Sequence, residues 1–91
     1  MQYMIIENFH PGKIRELYAK FEKEGRLLPE GVHYINSWID ETVSTCYQVM
    51  ESDSREKLQE WIGNWKEFAD FKVIPVISSA EAKAKTLGTG K

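Results

Sequence analysis

Two segments of this chain are apolar at consecutive positions, Met4-Ile5-Ile6 and Val73-Ile74-Pro75-Val76-Ile77. A strand with one face in water alternates apolar and polar residues, so these runs predict strands of a sheet that is covered on both faces. Only two segments have the pattern of strongly amphipathic helices, and two helices cover one face of a sheet. The pattern therefore predicts a homodimer, in which a second copy covers the other face.

Hydrophobic periodicity and turn residues divide the chain into short elements. Strands are predicted over 2–9, 32–39, 45–51 and 71–77, and helices over 13–24, 53–69 and 79–86. The second helix is predicted to begin with a capping box of Asp53 and Glu56, and the third with Ser78 and Glu81. Residues 1–87 are expected to form one domain. Residues 88–91 are expected to form a flexible tail.

The order of these elements, βαββαβ, favours an α+β sandwich of the ferredoxin-like type. Two right-handed split crossovers would place the strands in the spatial order 4-1-3-2, with both long helices on one face of the sheet. Pro75 supports this order, because a proline lacks the backbone N–H of a ladder and is tolerated mainly in edge strands. The fourth strand is accordingly predicted at one edge.

A polar segment at 40–44 predicts a hairpin loop between the second and third strands. The spacing pairs three residues of the second strand with three of the third on one face, as Trp38 with Cys46, Asn36 with Gln48 and Tyr34 with Met50. The opposite face would carry His33 across from Glu51. Side chains alternate along a strand, so a slip of one residue would exchange these partners.

Composition narrows the classes of function. The formal net charge of −2, with both signs interspersed, argues against a nucleic-acid partner. The single cysteine, Cys46, cannot form an intramolecular disulfide, which is typical of a reducing compartment. The sequence has no long apolar stretch and no leader-like segment, so we expect a cytoplasmic protein without a membrane partner.

The chain resembles a small uncharacterised family, a domain of unknown function, in several blocks between residues 1 and 82. These blocks are Tyr3-Met4-Ile5-Ile6-Glu7-Asn8-Phe9, Ser37-Trp38, Cys46-Tyr47-Gln48-Val49-Met50-Glu51, Trp61-Ile62-Gly63-Asn64-Trp65 and Phe71-Lys72-Val73-Ile74-Pro75-Val76. More broadly the chain is similar to the dimeric α+β barrels, which include small monooxygenases, lactone isomerases, haem-degrading enzymes and pure binding proteins. The resemblance implies a fold and a dimer, and it implies no particular reaction.

Four residues are the candidates for contacting a ligand: Asn36, Trp38, Gln48 and Trp65. In the predicted register Trp38 shares a face with two amides, and buried amides cost about 1 to 3 kcal/mol when they are unpaired. Convergent polar groups in an apolar cavity are typical of ligand pockets. The alternative is that these amides bond to backbone or water and that Trp65, on the apolar face of a helix, belongs to the core.

Three residues are weak candidates for catalytic proton transfer: Glu7, Glu51 and His33. Glu7 is an acid in an apolar strand, which favours either a proton-transfer group with a raised pKa or an ordinary partner for a lysine or an interface amide. His33 and Glu51 form either a general-base pair or a cross-strand ion pair. Cys46 has no predicted histidine partner, so a buried thiol acting as a small hydrophobe is the preferred interpretation.

No cofactor is expected. The two histidines, His10 and His33, lack the spacing of a metal site, and no glycine-rich phosphate loop is present. The sequence is best interpreted as a small-molecule-binding protein, with a cofactor-independent enzyme acting on a flat or hydrophobic metabolite as one form of it. The alternative is a non-catalytic dimeric interaction or regulatory module.

Overall fold

The computed structural model describes residues 1–88, which form seven elements in the predicted order. They are β1 (Gln2–Phe9), α1 (Ile14–Glu24), β2 (Val32–Ile39), β3 (Thr45–Ser52), α2 (Arg55–Gly63), β4 (Ala69–Val76) and α3 (Ser79–Leu87). Every predicted strand and helix is present. The tail predicted at 88–91 falls, for residues 89–91, outside the described part of the chain.

The four strands form one open antiparallel sheet in the order β2-β3-β1-β4. This is the order predicted from the sequence. Strand β4 lies at an edge, and Pro75 pairs with Tyr3 on its inner side. The missing N–H of the proline is therefore accommodated where a sheet has only one neighbouring strand.

The hydrophobic core lies on the face of the sheet that α1 and α2 cover. Alternate residues of the central strands point into it, among them Tyr3 and Ile5 of β1 and Met50 of β3. The helical side of the core is formed by Leu17, Leu58, Trp61 and Ile62. Side chains on one face of a strand recur every two residues, and those on one face of a helix recur about every 3.6 residues. The apolar residues of both kinds of element therefore meet in one layer.

Helix α2 differs from its prediction at both ends. Its N-cap is Ser54, whose hydroxyl accepts a hydrogen bond from the Lys57 N–H, so the predicted capping box of Asp53 is wrong. The helix ends at Gly63, a residue of low helix propensity, rather than at residue 69. The chain then turns, and Trp65 and Phe68 remain buried beyond the helix.

A bulge in β2 changes which residues share a face. His33 pairs with Glu51 and Tyr34 with Met50, as predicted, but the register shifts between Tyr34 and Asn36. Beyond the shift the pairs are Asn36 with Val49, Ser37 with Gln48 and Trp38 with Tyr47. The predicted pairs of Asn36 with Gln48 and Trp38 with Cys46 are wrong, because the extra residue of a bulge exchanges the two faces of the strand.

The other face of the sheet, here called the open face, is apolar and carries no long helix. Its central side chains are half-buried, namely Met4, Ile6, Val49 and Ile74. Trp38 and Tyr47 are 56% and 40% exposed. Helix α3 has the predicted capping box of Ser78 and Glu81 but buries none of its residues.

Candidate functional site

A cavity of about 180 Å³ lies between the sheet and the two long helices. Its walls include the aromatic side chains Phe9, Tyr18, Phe21, Trp61 and Trp65. Its polar lining consists of Glu7, Arg26, Ser37, Cys46 and Gln48. One water molecule needs only roughly 10 to 15 Å³ of such volume, so the cavity has room for a small organic molecule.

Glu7 is the buried acid of this cavity. It lies in β1 between Cys46 of β3 and Phe71 of β4 and is only 5% exposed. The side-chain amide of Gln48, also buried, donates a hydrogen bond to its carboxylate. Burial raises the pKa of Glu7 from 4.5 to about 7, although the nearby charge of Arg26 opposes the change. Glu7 can therefore be either charged or neutral near physiological pH.

Arg26 enters the cavity from the connector that follows α1. Its backbone carbonyl accepts two hydrogen bonds, from the indole N–H groups of Trp61 and Trp65, each at 3.0 Å. Its guanidinium lies 3.6 Å from the ring centre of Tyr34 and 4.9 Å from that of Phe21. These contacts hold Arg26 through its backbone carbonyl and through the two aromatic rings. Within residues 1–88 the guanidinium N–H groups donate no hydrogen bond.

The other ionisable groups of the cavity are neutral at pH 7. Burial raises the pKa of the Cys46 thiol to about 12, and Glu7 adds to this effect. The pKa of Tyr18 is also raised, first by burial and then by Cys46 and Glu7. The structure confirms that Cys46 is buried, and a thiol with so high a pKa is a poor nucleophile.

The structure brings together three of the residues predicted for a site and separates the others. Glu7, Gln48 and Trp65 line one cavity. Asn36 and Trp38 belong to the open face, on the opposite side of the sheet. The remaining two, Glu51 and His33, are paired in the sheet, but within residues 1–88 their side chains are not hydrogen-bonded to each other. The Glu51 carboxylate instead lies 3.9 Å from the amino group of Met1.

Sequence reasoning missed Arg26 and Ser37 as cavity residues. The Ser37 hydroxyl lies 2.6 Å from that of Tyr34 and reaches the helix side only because of the bulge. Arg26 follows Gly25, the residue at the end of α1, and no spacing in the sequence indicates where the connector would direct it. The only sequence feature that could have indicated a role for Arg26 was its position as a basic residue between the end of α1 and two leucines, Leu27 and Leu28.

His10, beside the turn that follows β1, makes two side-chain contacts with a distant part of the chain. Its ring nitrogens lie 3.1 Å from the carbonyl oxygen of Glu67 and 3.0 Å from the carboxylate of Asp70. The hydrogen bond to Asp70 is the main cause that raises the pKa of His10. These two contacts attach the turn after β1 to Glu67 and to the first residues of β4.

Within residues 1–88, no three His, Cys, Asp or Glu side chains are grouped closely enough to hold a metal ion. None of the helices described is long and apolar enough to span a membrane.

The fold and the cavity define a two-layer α+β domain with a buried acid between its sheet and its helices. The chain belongs to the family described as Domain of unknown function (DUF3303), whose model matches residues 1–89. This match confirms the resemblance at the level of the family. A search of curated proteins and a search of solved structures each found no match.

Proposed function

We propose that this chain is a small-molecule-binding protein and that its ligand occupies the cavity beside Glu7. We also propose that the fold belongs to the ferredoxin-like superfamily and that the protein is cytoplasmic. The cavity is smaller than the roughly 300 to 1,000 Å³ of pockets for drug-sized ligands, so a ligand of about one ring is favoured.

The buried pair of Glu7 and Gln48 is the observation that carries the proposal. Both side chains come from the centre of the sheet, where apolar residues would pack without a desolvation cost. Each satisfies part of the other's hydrogen-bonding capacity, and within residues 1–88 neither side chain bonds to the backbone. A polar pair that is not needed by the backbone and that faces a cavity is best explained by recognition of a ligand.

The same carboxyl group is placed to move a proton on a bound molecule. A general acid or base works best when its pKa is near the working pH, and the pKa of Glu7 is about 7. A cofactor-independent proton-transfer enzyme is thus one form of the proposed function. Glu7 would be its proton carrier, and Gln48 would hold the carboxylate in place.

A non-catalytic dimeric module is the second candidate, and the open face favours it. Monomers rarely leave a large contiguous apolar patch in water, yet Trp38 and Tyr47 of the open face are substantially exposed. Packing two open faces together would bury these residues and form a dimeric α+β barrel. The two proposals are compatible, because the cavity lies on the opposite side of the sheet.

The proposed site can be tested with the tryptophans of the chain. A Trp38→Phe variant leaves Trp61 and Trp65, which both line the cavity, as the only fluorophores of this type. A panel of one-ring fragments, with neutral, anionic and cationic members, is titrated into this variant. We expect some members to change the tryptophan emission in a saturable manner.

A cavity-filling variant provides the specificity control. Cys46→Leu extends an apolar side chain into the cavity and should abolish the emission change while the protein stays folded. Tyr47→Leu alters the next residue, on the open face, and should leave binding intact. A panel without any saturable response, or responses that survive Cys46→Leu, would contradict the proposal.

A further inference from the structure

We infer that the ligand of this cavity is a small planar acid, that Arg26 binds its carboxylate, and that binding is accompanied by proton uptake at Glu7. This inference rests on the small-molecule site proposed above and specifies the chemical class of its ligand.

The first reason is the unused hydrogen-bonding capacity of Arg26. A guanidinium has five N–H donors and matches a carboxylate through two parallel hydrogen bonds. Within residues 1–88 the Arg26 guanidinium donates no hydrogen bond and joins no salt bridge, although it lines the cavity. The guanidinium carbon lies 3.6 Å from the ring centre of Tyr34, and this contact restricts the movement of the group before a carboxylate binds.

The second reason is the balance of charge around Glu7. The groups that face it are Tyr18 of α1, Arg26 of the connector, and Cys46 and Gln48 of β3. Cys46 and Tyr18 are uncharged at pH 7, so among the described residues Arg26 supplies the charge beside Glu7. A ligand anion on Arg26 would cancel this positive charge and add a like charge near the carboxylate. Both effects favour the protonated form of Glu7.

The third reason is the shape of the walls. Trp61 and Trp65 are held by hydrogen bonds to one carbonyl oxygen, and Phe21 stands under the Arg26 guanidinium. Fixed aromatic surfaces favour a flat ligand, because stacked or edge-to-face contacts need little rearrangement. The ligand class is therefore an aromatic or conjugated carboxylate with about one ring.

Benzoate and its neutral isostere benzamide are suitable probes, with benzamidine as the cation of the same shape. In the Trp38→Phe background we expect benzoate to bind at least about tenfold more tightly than benzamide or benzamidine, a difference that one charge-assisted contact supplies. Arg26→Gln should remove this preference. Arg26→Lys keeps the charge without the planar fork and should retain part of it.

Proton uptake gives a second readout that needs no change at Arg26. Benzoate stays ionised above about pH 5.5. Its affinity should fall by up to about tenfold per pH unit above the pKa of Glu7, because binding and protonation are linked. Calorimetry in buffers of different ionisation enthalpy should show proton uptake near neutral pH. Glu7→Gln should make the affinity independent of pH and abolish the uptake.

The outcomes separate the two proposals. Saturable binding in which benzamide or benzamidine equals benzoate would overturn this inference and leave the small-molecule site standing. Benzoate affinity that does not vary with pH in the presence of Glu7 would also overturn it. If no probe and no fragment changes the emission of the cavity tryptophans, the proposed site itself fails.

Discussion

Glu7 shows at the scale of one residue how a site can oppose stability. Its carboxyl group is buried in the core layer, and Gln48 provides its one hydrogen bond within the described residues. A pKa raised from 4.5 to about 7 means that the folded protein holds this proton more tightly than the unfolded chain. The ionised form of Glu7 therefore destabilises the fold at alkaline pH.

The pH dependence of stability should reveal this cost. The favourable contribution of Glu7 to the free energy of unfolding is complete below pH 4.5 and falls as the pH rises. Above about pH 7 the contribution is lost, and the total loss is about 3 kcal/mol. We expect Glu7→Gln to equal the natural protein in stability near about pH 5 and to exceed it by up to about 3 kcal/mol near about pH 8. Urea unfolding across this range, at one protein concentration, measures the difference.

Glu60→Gln is the matched control, because Glu60 is exposed on α2, outside both the cavity and the open face. Its effect should stay within about 0.5 kcal/mol, as for most surface changes. A Glu7→Gln variant that is less stable than the natural protein near about pH 8 would show that ionised Glu7 supports the fold.

Helix α3 behaves differently from the other elements. It has a complete capping box at Ser78 and Glu81 and ends at Gly88 in the left-handed region, with φ 65°. It nevertheless buries no residue against its own chain. Isolated helices of fewer than about 12 residues are marginal in water, so caps alone give α3 little stability.

A chain that ends at Ile77 should therefore fold as well as the longer chain. We expect its free energy of unfolding, measured by urea at low concentration, to agree within about 0.5 kcal/mol. Leu17→Ala, a change in the core of α1, should in contrast cost about 2 to 5 kcal/mol. A loss of more than about 2 kcal/mol on truncation would mean that α3 supports its own domain.

The whole molecule has one sheet with two different faces. One is closed by α1 and α2, and the other, with Met4, Ile6 and Ile74 at its centre, is open. The smallest extent of the molecule is 17 Å, the thickness of a single sheet with one layer of helices. Association through the open face would bury apolar area that a small domain needs for stability.

Trp38 is the residue that tests this association. It is 56% exposed on the open face, so Trp38→Glu should leave the monomer folded while placing a charge in the proposed interface. We expect sedimentation velocity at micromolar concentration to show a dimer for the natural chain and a monomer for the variant. Circular dichroism should be unchanged.

Leu28→Glu introduces the same charge at an exposed leucine in the connector after α1 and should leave the dimer intact. A natural chain that sediments as a monomer at these concentrations would refute the dimer. So would a Trp38→Glu variant that still dimerises.

Most of the fold could be predicted from the sequence by itself. The bounds of β1 and β2 agree with the hydrophobic pattern, and Ser78 and Glu81 mark the start of α3 as expected. The strand order followed from the sequence of elements together with Pro75. These features depend on local periodicity, capping and backbone chemistry, which neighbouring residues determine.

The candidate site depended on tertiary structure. A bulge beside Ile35 moved Trp38 and Asn36 out of the predicted pocket, and no local pattern specifies an extra residue in a strand. Arg26 reached Glu7 because the connector after α1 packs under α2, a contact between residues far apart in the chain. The sequence determined the order of the elements and the bounds of several of them, because these depend on neighbouring residues, and only the packing of elements decided which side chains meet in the cavity.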